Sequence, residues 1–179
     1  DDILIAIGGG IVQDITCFLA ATLLRGVEWY FYPTTLLAQA DSCIGSKSSI
    51  NCGDSKNLLG TFTPPNRVII GNNFLKTLDE RDVRSGVGEM LKVHGIAGKE
   101  NFDNIAIAYN KLFLDADLMK TFIHRSLEIK KEYIEIDEFD REMDGLQIET
   151  ETLASQKIKV PVTNMDKGLL LKSKKSLIK

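Results

Sequence analysis

The feature that most constrains this chain is a short apolar run, ILIAI (residues 3–7), which leads directly into Gly8-Gly9-Gly10 and then into a helical pattern over residues 11–24. Such a run is typical of a strand buried in a parallel sheet. After the glycines, Ile11, Ile15, Phe18, Leu19 and Leu23 recur at helical spacing, and Gly26 just beyond Arg25 is a natural helix stop. Residues 28–32 (EWYFY) read as a second strand ended by Pro33. Strand, glycine turn, helix and strand make a βαβ unit, whose crossover is right-handed. The first strand also opens the chain, without an initiator methionine. A central strand needs neighbours on both sides, so the expectation is a chain truncated at its front.

Further along, residues 34–40 suit a short helix, 43–60 a polar, glycine-dotted loop, and 68–71 a third strand. Then the character changes. Asp79 is a plausible N-cap for a helix to about residue 95, with acidic residues in its first turn. Residues 101–113 and 115–139 follow as helices, the last carrying Leu118, Phe122, Leu127, Ile129, Ile134 and Ile136. Residues 157–162 suit a strand, and the lysine-rich end a solvated terminus. The expected fold class is therefore an α/β N-terminal part (1–77) with an incomplete, Rossmann-like parallel sheet, followed by an α-helical C-terminal part (78–179).

Bulk properties exclude several function classes. A net charge of −3 gives no basic face for nucleic acid. No apolar run approaches the roughly 18–20 residues that span a bilayer. Three cysteines without CxxC spacing indicate neither a disulfide framework nor a zinc knuckle, which suits reduced thiols in a cytoplasmic protein.

Chemistry concentrates at a few places. Glycines between a strand and a helix let the backbone approach a pyrophosphate, and the helix N-terminus offers unpaired N–H groups. The alternative is a tight turn that needs positive φ angles. The spacing departs from GxGxxG, because Gln13 stands where the third glycine would be. Asp14 either contacts a cofactor ribose or amide, or favours the helix dipole. Thr34 and Thr35, at the carboxyl edge of the second strand, cap the next helix, touch a cofactor, or do both. Asp41, Lys47, Ser48, Asn51, Lys56 and Asn57 fall within seventeen residues, a set suited either to a phosphorylated, polyhydroxylated substrate or to a solvated loop. The P-loop pattern fails there, since Ser46 replaces the glycine before lysine. Glu89 and Lys92 share a helix face as an ion pair, unless Glu89 is a metal ligand. With only two histidines (His94 and His124) and no HExxH, composition does not point to metal.

Taken together, IGGGIVQD, ATLLRG, PTTLLAQADSCIGSKSSIN, KNLLGTF, PP, FLKTL, ER and SGVGEMLK occur in an order and spacing that resemble 3-dehydroquinate synthase and its sugar-phosphate cyclase relatives, from Asp2 to about Arg141. The stretch PTTLLAQ-DS and the lysines after it resemble the dehydroquinate synthase branch more than the inosose or valiolone cyclases. The resemblance implies an NAD-binding α/β domain, a helical domain with a divalent metal (usually zinc, with cobalt as an alternative), and a homodimer. By the same resemblance Gly8, Gly9, Gly10, Asp14, Thr34 and Thr35 match NAD-binding positions. Lys47, Lys56, Asn57, Lys92 and Lys130 match catalytic or neighbouring substrate positions, Asp41 a substrate contact and Glu89 a metal ligand. Arg25 matches an arginine that reaches the partner subunit's active site, and Lys175 a C-terminal substrate lysine. The implied reaction converts a phosphorylated sugar acid to a carbocycle with loss of phosphate.

The pattern breaks after residue 141. Asp144 stands where the family has an arginine, residues 145–150 (GLQIET) replace what should follow, and neither His94 nor His124 matches a metal-ligand position. Internal segments missing from the chain and a truncated, non-catalytic remnant both account for this. A related metal-dependent NAD(P) alcohol dehydrogenase is a further alternative, against which the lysine cluster speaks.

Overall fold

In a computed structural model the described residues run from 2 to 136. They form two compact units that part between Val83 and Arg84. In the first unit β1 (Leu4–Gly8), α1 (Gly10–Thr22) and β2 (Trp29–Pro33) make the expected βαβ unit. β1 and β2 are parallel, with Leu4 opposite Trp29 and Gly8 opposite Pro33. A short helix α2 (Leu36–Ala40) follows, then β3 (Lys47–Cys52), β4 (Ser55–Phe62) and a two-residue strand β5 (Arg67–Val68). The parallel sheet has the order β1-β2-β5.

β2 is its spine. Trp29, Phe31 and Pro33 alternate into the core, and Ala6, Leu36, Ala38 and Ala40 are buried as well. Burial of side chains of this size is the main favourable term, on the order of 2 kcal/mol for each large apolar group. β1 departs from the expectation of burial on both faces. Ala6 is buried, but Ile5 and Ile7 are 60% and 59% exposed. Among the described residues no strand pairs with the outer edge of β1.

α1 departs in a related way. The stripe Ile11, Ile15 and Leu19 points outward, whereas Gln13, Cys17 and Ala20 are buried. The inward face is small and polar because it grips the β3–β4 hairpin through side-chain hydrogen bonds. The helix stops at Thr22, and the chain turns through Leu24 (φ 50°), Arg25 (φ 70°) and Gly26 (φ 128°). Two successive non-glycine residues in the left-handed region cost roughly 1–2 kcal/mol each.

The expected loop over residues 43–60 is instead an antiparallel hairpin. Gly53 (φ 59°) closes its turn, and the exposed Cys52 stands beside it, while Cys17 and Cys43 are buried. Gly60 is required by close approach: a Cβ there would lie 2.2 Å from the Ser48 carbonyl oxygen. The polar composition hid the strands because the β4 side chains face water throughout their first six residues.

The second unit is helical, with α3 (Glu80–Ile96), α4 (Lys99–Leu112) and α5 (Ala116–Ile136). Asp115 accepts from the Asp117 and Leu118 N–H groups, capping α5. Val93 of α3 and Ile129 of α5 are buried together, with Ile96, Ala97 and Tyr133 around them, and the Tyr133 hydroxyl donates to the Ile96 carbonyl at 3.0 Å. No helix of the described residues is long and apolar enough to cross a membrane. Residues 157–162, read from the sequence as a strand, and Lys175 lie outside the described residues.

His94 is buried beside Phe122, with Nδ1 3.3 Å from the Asn101 carbonyl. Burial pushes its pKa down to about 4 from 6.5. Its pKa is therefore lower folded than unfolded, so stability is lost as pH falls from 6.5 through about 4, by up to roughly 3 kcal/mol. Denaturant midpoints measured between pH 7 and pH 4 should fall more steeply for the wild type than for His94→Leu; parallel curves would refute the assignment.

Candidate functional site

β1 ends at Gly8 and α1 begins at Gly10, with Gly9 between them in extended geometry at φ −92°. None of the three has a positive φ. The tight-turn explanation for the triplet therefore does not apply, and space does. A Cβ on Gly8 would fall 2.5 Å from a Val12 methyl, and one on Gly9 would fall 2.8 Å from the Thr35 methyl. A Cβ on Gly10 meets nothing within 4 Å. Packing thus accounts for Gly8 and Gly9, while Gly10 opens the helix with clear space beside it. An N-terminus of this kind presents unpaired N–H groups and the positive end of the helix dipole, which suits a phosphate.

The threonines meet this junction from β2. The Thr34 N–H donates to the Gly8 carbonyl at 2.9 Å. Thr35 caps α2, its hydroxyl accepting from the Ala38 N–H at 3.3 Å, while its methyl packs on Gly9. The capping alternative for Thr35 is thus realised.

α1 ties the junction to the hairpin. Gln13, at the place of the missing third glycine, donates from Nε2 to the Ser42 carbonyl at 2.7 Å and accepts from the Ser42 hydroxyl at 2.8 Å. The Asp14 carboxylate accepts from the Ser49 N–H at 3.2 Å. Burial raises the Asp14 pKa and the Ser49 hydrogen bond partly offsets this. One turn on, Cys17 donates to the Thr63 carbonyl at 3.0 Å.

The polar cluster is carried by this hairpin. Asp41 follows α2, and Lys47 opens β3 opposite Phe62. The register slips between the Ile50 and Cys52 pairs, so residues 56–58 of β4 bulge. Lys56 and Asn57 stand on the bulge, an arrangement that re-aims side chains. Asn57 is at φ 54°, a conformation asparagine tolerates well. Its Oδ1 accepts from the Ser49 hydroxyl at 2.8 Å and its N–H donates to Asn51 Oδ1 at 3.0 Å. Ser49 thus connects Asp14 on one side to Asn57 on the other. The sequence singled out Asp14 and Asn57 but not Ser49, whose importance depends on a hairpin register that polarity does not reveal.

In the second unit Glu89 is nearly buried and forms an ion pair with Lys92, the i,i+3 arrangement expected of a helical pair. Lys130 on α5 is 5% exposed, an unusual burial for lysine. It follows Ile129, which packs with Val93, the neighbour of Lys92. The two lysines therefore come from the two helices that meet at this seam. Zinc sites need three or more protein ligands. Among the described residues no group of three His, Cys, Asp or Glu side chains could hold a metal. Glu89 alone does not make a site, so the described residues do not fit a metal centre.

Residues 1–85 match the family model for the N-terminal part of 3-dehydroquinate synthase. In sequence and in fold the chain is similar to the 3-dehydroquinate synthase and sugar-phosphate cyclase family. It is 43% identical over 139 residues to a 3-dehydroquinate synthase of Enterococcus faecalis (strain OG1RF), covering 78% of this chain and 38% of that protein. Over 139 residues it is 44% identical to the 3-dehydroquinate synthase of Pelagibacter ubique, covering 77% of this chain and 38% of the relative. It also resembles the solved structure of ValA, the 2-epi-5-epi-valiolone synthase of Streptomyces hygroscopicus subsp. jinggangensis, which has NAD+ and Zn2+ bound. That match has a TM-score of 0.68 at 29% identity, over 76% of this chain and 39% of ValA. The chain thus spans about 38% of the length of the curated relatives it matches.

The glycine geometry gives a graded expectation. Gly8→Ala should cost about 1–3 kcal/mol through overpacking against Val12. Gly9→Ala should do the same against Thr35. Gly10→Ala, in open space inside a helix, should be neutral or stabilising by up to ~1 kcal/mol. Thermal denaturation of the three variants checks the ranking, and a Gly10→Ala loss as large as that of Gly8→Ala would overturn it.

Proposed function

We propose that the chain is part of a 3-dehydroquinate synthase-type cyclase of the shikimate pathway, which carries a phosphorylated seven-carbon sugar acid to a carbocycle with elimination of phosphate. The observation that carries the cofactor half is the clear space at Gly10 on a helix N-terminus. Gly8, Gly9, Gly10, Thr34 and Thr35 would hold NAD there, with Asp14 beside them. When bound, NAD supplies a reversible hydride acceptor for a ring alcohol, whose oxidation acidifies the adjacent C–H and permits loss of phosphate.

The chain's own residues bind and orient. Lys47 and Lys56 suit the phosphate and carboxylate through charge-assisted hydrogen bonds. Asn57, held by Ser49 and Asn51, offers an amide to a hydroxyl. Asp41, Lys92 and Lys130 would complete the substrate contacts. Fixing a flexible substrate in one reactive geometry is itself a large rate factor. In a homodimer Arg25 would serve the partner's site, and its left-handed backbone is the kind of local strain found at functional positions. Glu89 is the one described residue that matches a metal ligand of the family. The resemblance to 3-dehydroquinate synthases supports a cytoplasmic enzyme.

The likeness to ValA favours a second reading, another sugar-phosphate cyclase of the inosose or valiolone type. Product formation by the full-length protein on a panel of sugar phosphates distinguishes the two. Turnover of the seven-carbon acid is expected. Turnover only of sugar phosphates that lack the carboxylate would replace the first reading with the second, and NAD binding without any turnover would indicate a non-catalytic remnant.

Asp14 gives an independent test. Its folded pKa is raised, so it contributes best when protonated, below about 3.8, and becomes a burden as pH rises through the folded value. Asp14→Asn keeps an oxygen for the Ser49 N–H and removes the buried charge. At pH 7 the variant should be as stable as the wild type or more so, yet bind NAD roughly tenfold more weakly if the carboxylate serves the cofactor. Calorimetric titration with NAD alongside thermal melts reads both, and unchanged affinity would remove Asp14 from the cofactor site.

A further inference from the structure

Gln39 sits on α2, fully buried, in a helix whose other inward residues are Leu36, Ala38 and Ala40. Its Nε2 donates to the Pro33 carbonyl at 3.0 Å and to the Gly71 carbonyl at 3.1 Å. Both bonds go to acceptors, which fixes the orientation of the amide. Its Oε1 is buried without a partner.

The location explains the need. β2 and β5 pair at Tyr30–Arg67 and Phe31–Val68, and the Ile69 N–H donates to the Phe31 carbonyl at 2.8 Å. Two residues on, the ladder meets Pro33, which has no N–H to donate. The ladder ends there, and at the carboxyl edge of the sheet a single side-chain NH2 with two hydrogens satisfies both the Pro33 and the Gly71 carbonyls. A neutral amide is well suited to this task, since a carboxylate has no donor and an ammonium would bury a charge.

The consequence runs to the glycine junction. Pro33 precedes Thr34, whose N–H is bonded to the Gly8 carbonyl, and Thr35, whose methyl lies against Gly9. We propose that Gln39 is a positioning residue of the dinucleotide site: by clamping the ends of β2 and β5 it sets where Thr34 and Thr35 stand against Gly8 and Gly9. This rests on the reading of the glycine junction as the NAD site. Gln39 touches no cofactor itself; it acts through Pro33.

The test measures NAD affinity by calorimetric titration and the KM and kcat for substrate, in the full-length protein. Gln39→Met keeps the side-chain length and removes both donors. It should weaken NAD binding roughly tenfold, with kcat at saturating NAD changed by less than about twofold. Should Gln39→Met not fold, Gln39→Glu replaces it: its carboxylate opposes two carbonyls, and protonation restores one donor. Relative to the wild type, NAD affinity of this variant should improve as pH falls from 8 to 6. A lower melting temperature with unchanged NAD affinity, or a Gln39→Glu variant whose affinity tracks the wild type across pH, would reduce Gln39 to a packing residue and leave the NAD site standing. A wild-type protein that binds no NAD would overturn both.

Discussion

Two close approaches govern the first unit: Val12 folds back onto Gly8, and Thr35 presses its methyl onto Gly9. Neither leaves room for a side chain. Because these contacts are steric, they set how near α1 starts to the end of β1 and how near the β2–α2 turn comes to both. The parallel pairing of β1 with β2 and the bond from Thr34 to Gly8 then lock the register of three elements at one point. Open space at Gly10 is what remains once those contacts are made.

Around that point the unit is held by polar groups as much as by apolar ones. Gln13, Asp14 and Cys17 form one face of α1, and each bonds to the segment running from Ser42 to Thr63. This is a directional attachment, in which each bond has one partner and one geometry. It suits a hairpin that carries Lys47, Lys56 and Asn57, because directional hydrogen bonds hold each partner in one geometry. The cost is visible at Asp14, a partly buried carboxylate, and at Gln39, whose oxygen is left unpaired.

Much of this was legible in the sequence, for identifiable reasons. The βαβ unit declared itself through a short continuous apolar run that gives way to a period of 3.6 at three glycines, and the helices after Asp79 through their own periodicity. Polarity concealed the hairpin. β4 is solvated along most of its length, so the alternation that betrays a strand is missing, and Gly53 and Gly60 looked like loop glycines. The inward face of α1 was concealed too, because Ile11, Ile15 and Leu19 form the better apolar stripe yet point outward. Candidate site residues that lie in a local motif, such as Gly8–Gly10 and Glu89 with Lys92, stand out in the sequence as candidates only. Ser49 and Gln39 do not, since their roles come from partners 35 and 32 residues away.

The cysteines offer one practical opening. Cys17 and Cys43 are buried, whereas Cys52 stands exposed at the tip of the hairpin, a few residues before Lys56. A thiol-reactive dye therefore has a single open address in the native state. It falls on the element that carries the lysine cluster, so its emission would follow that loop without any engineering of the chain.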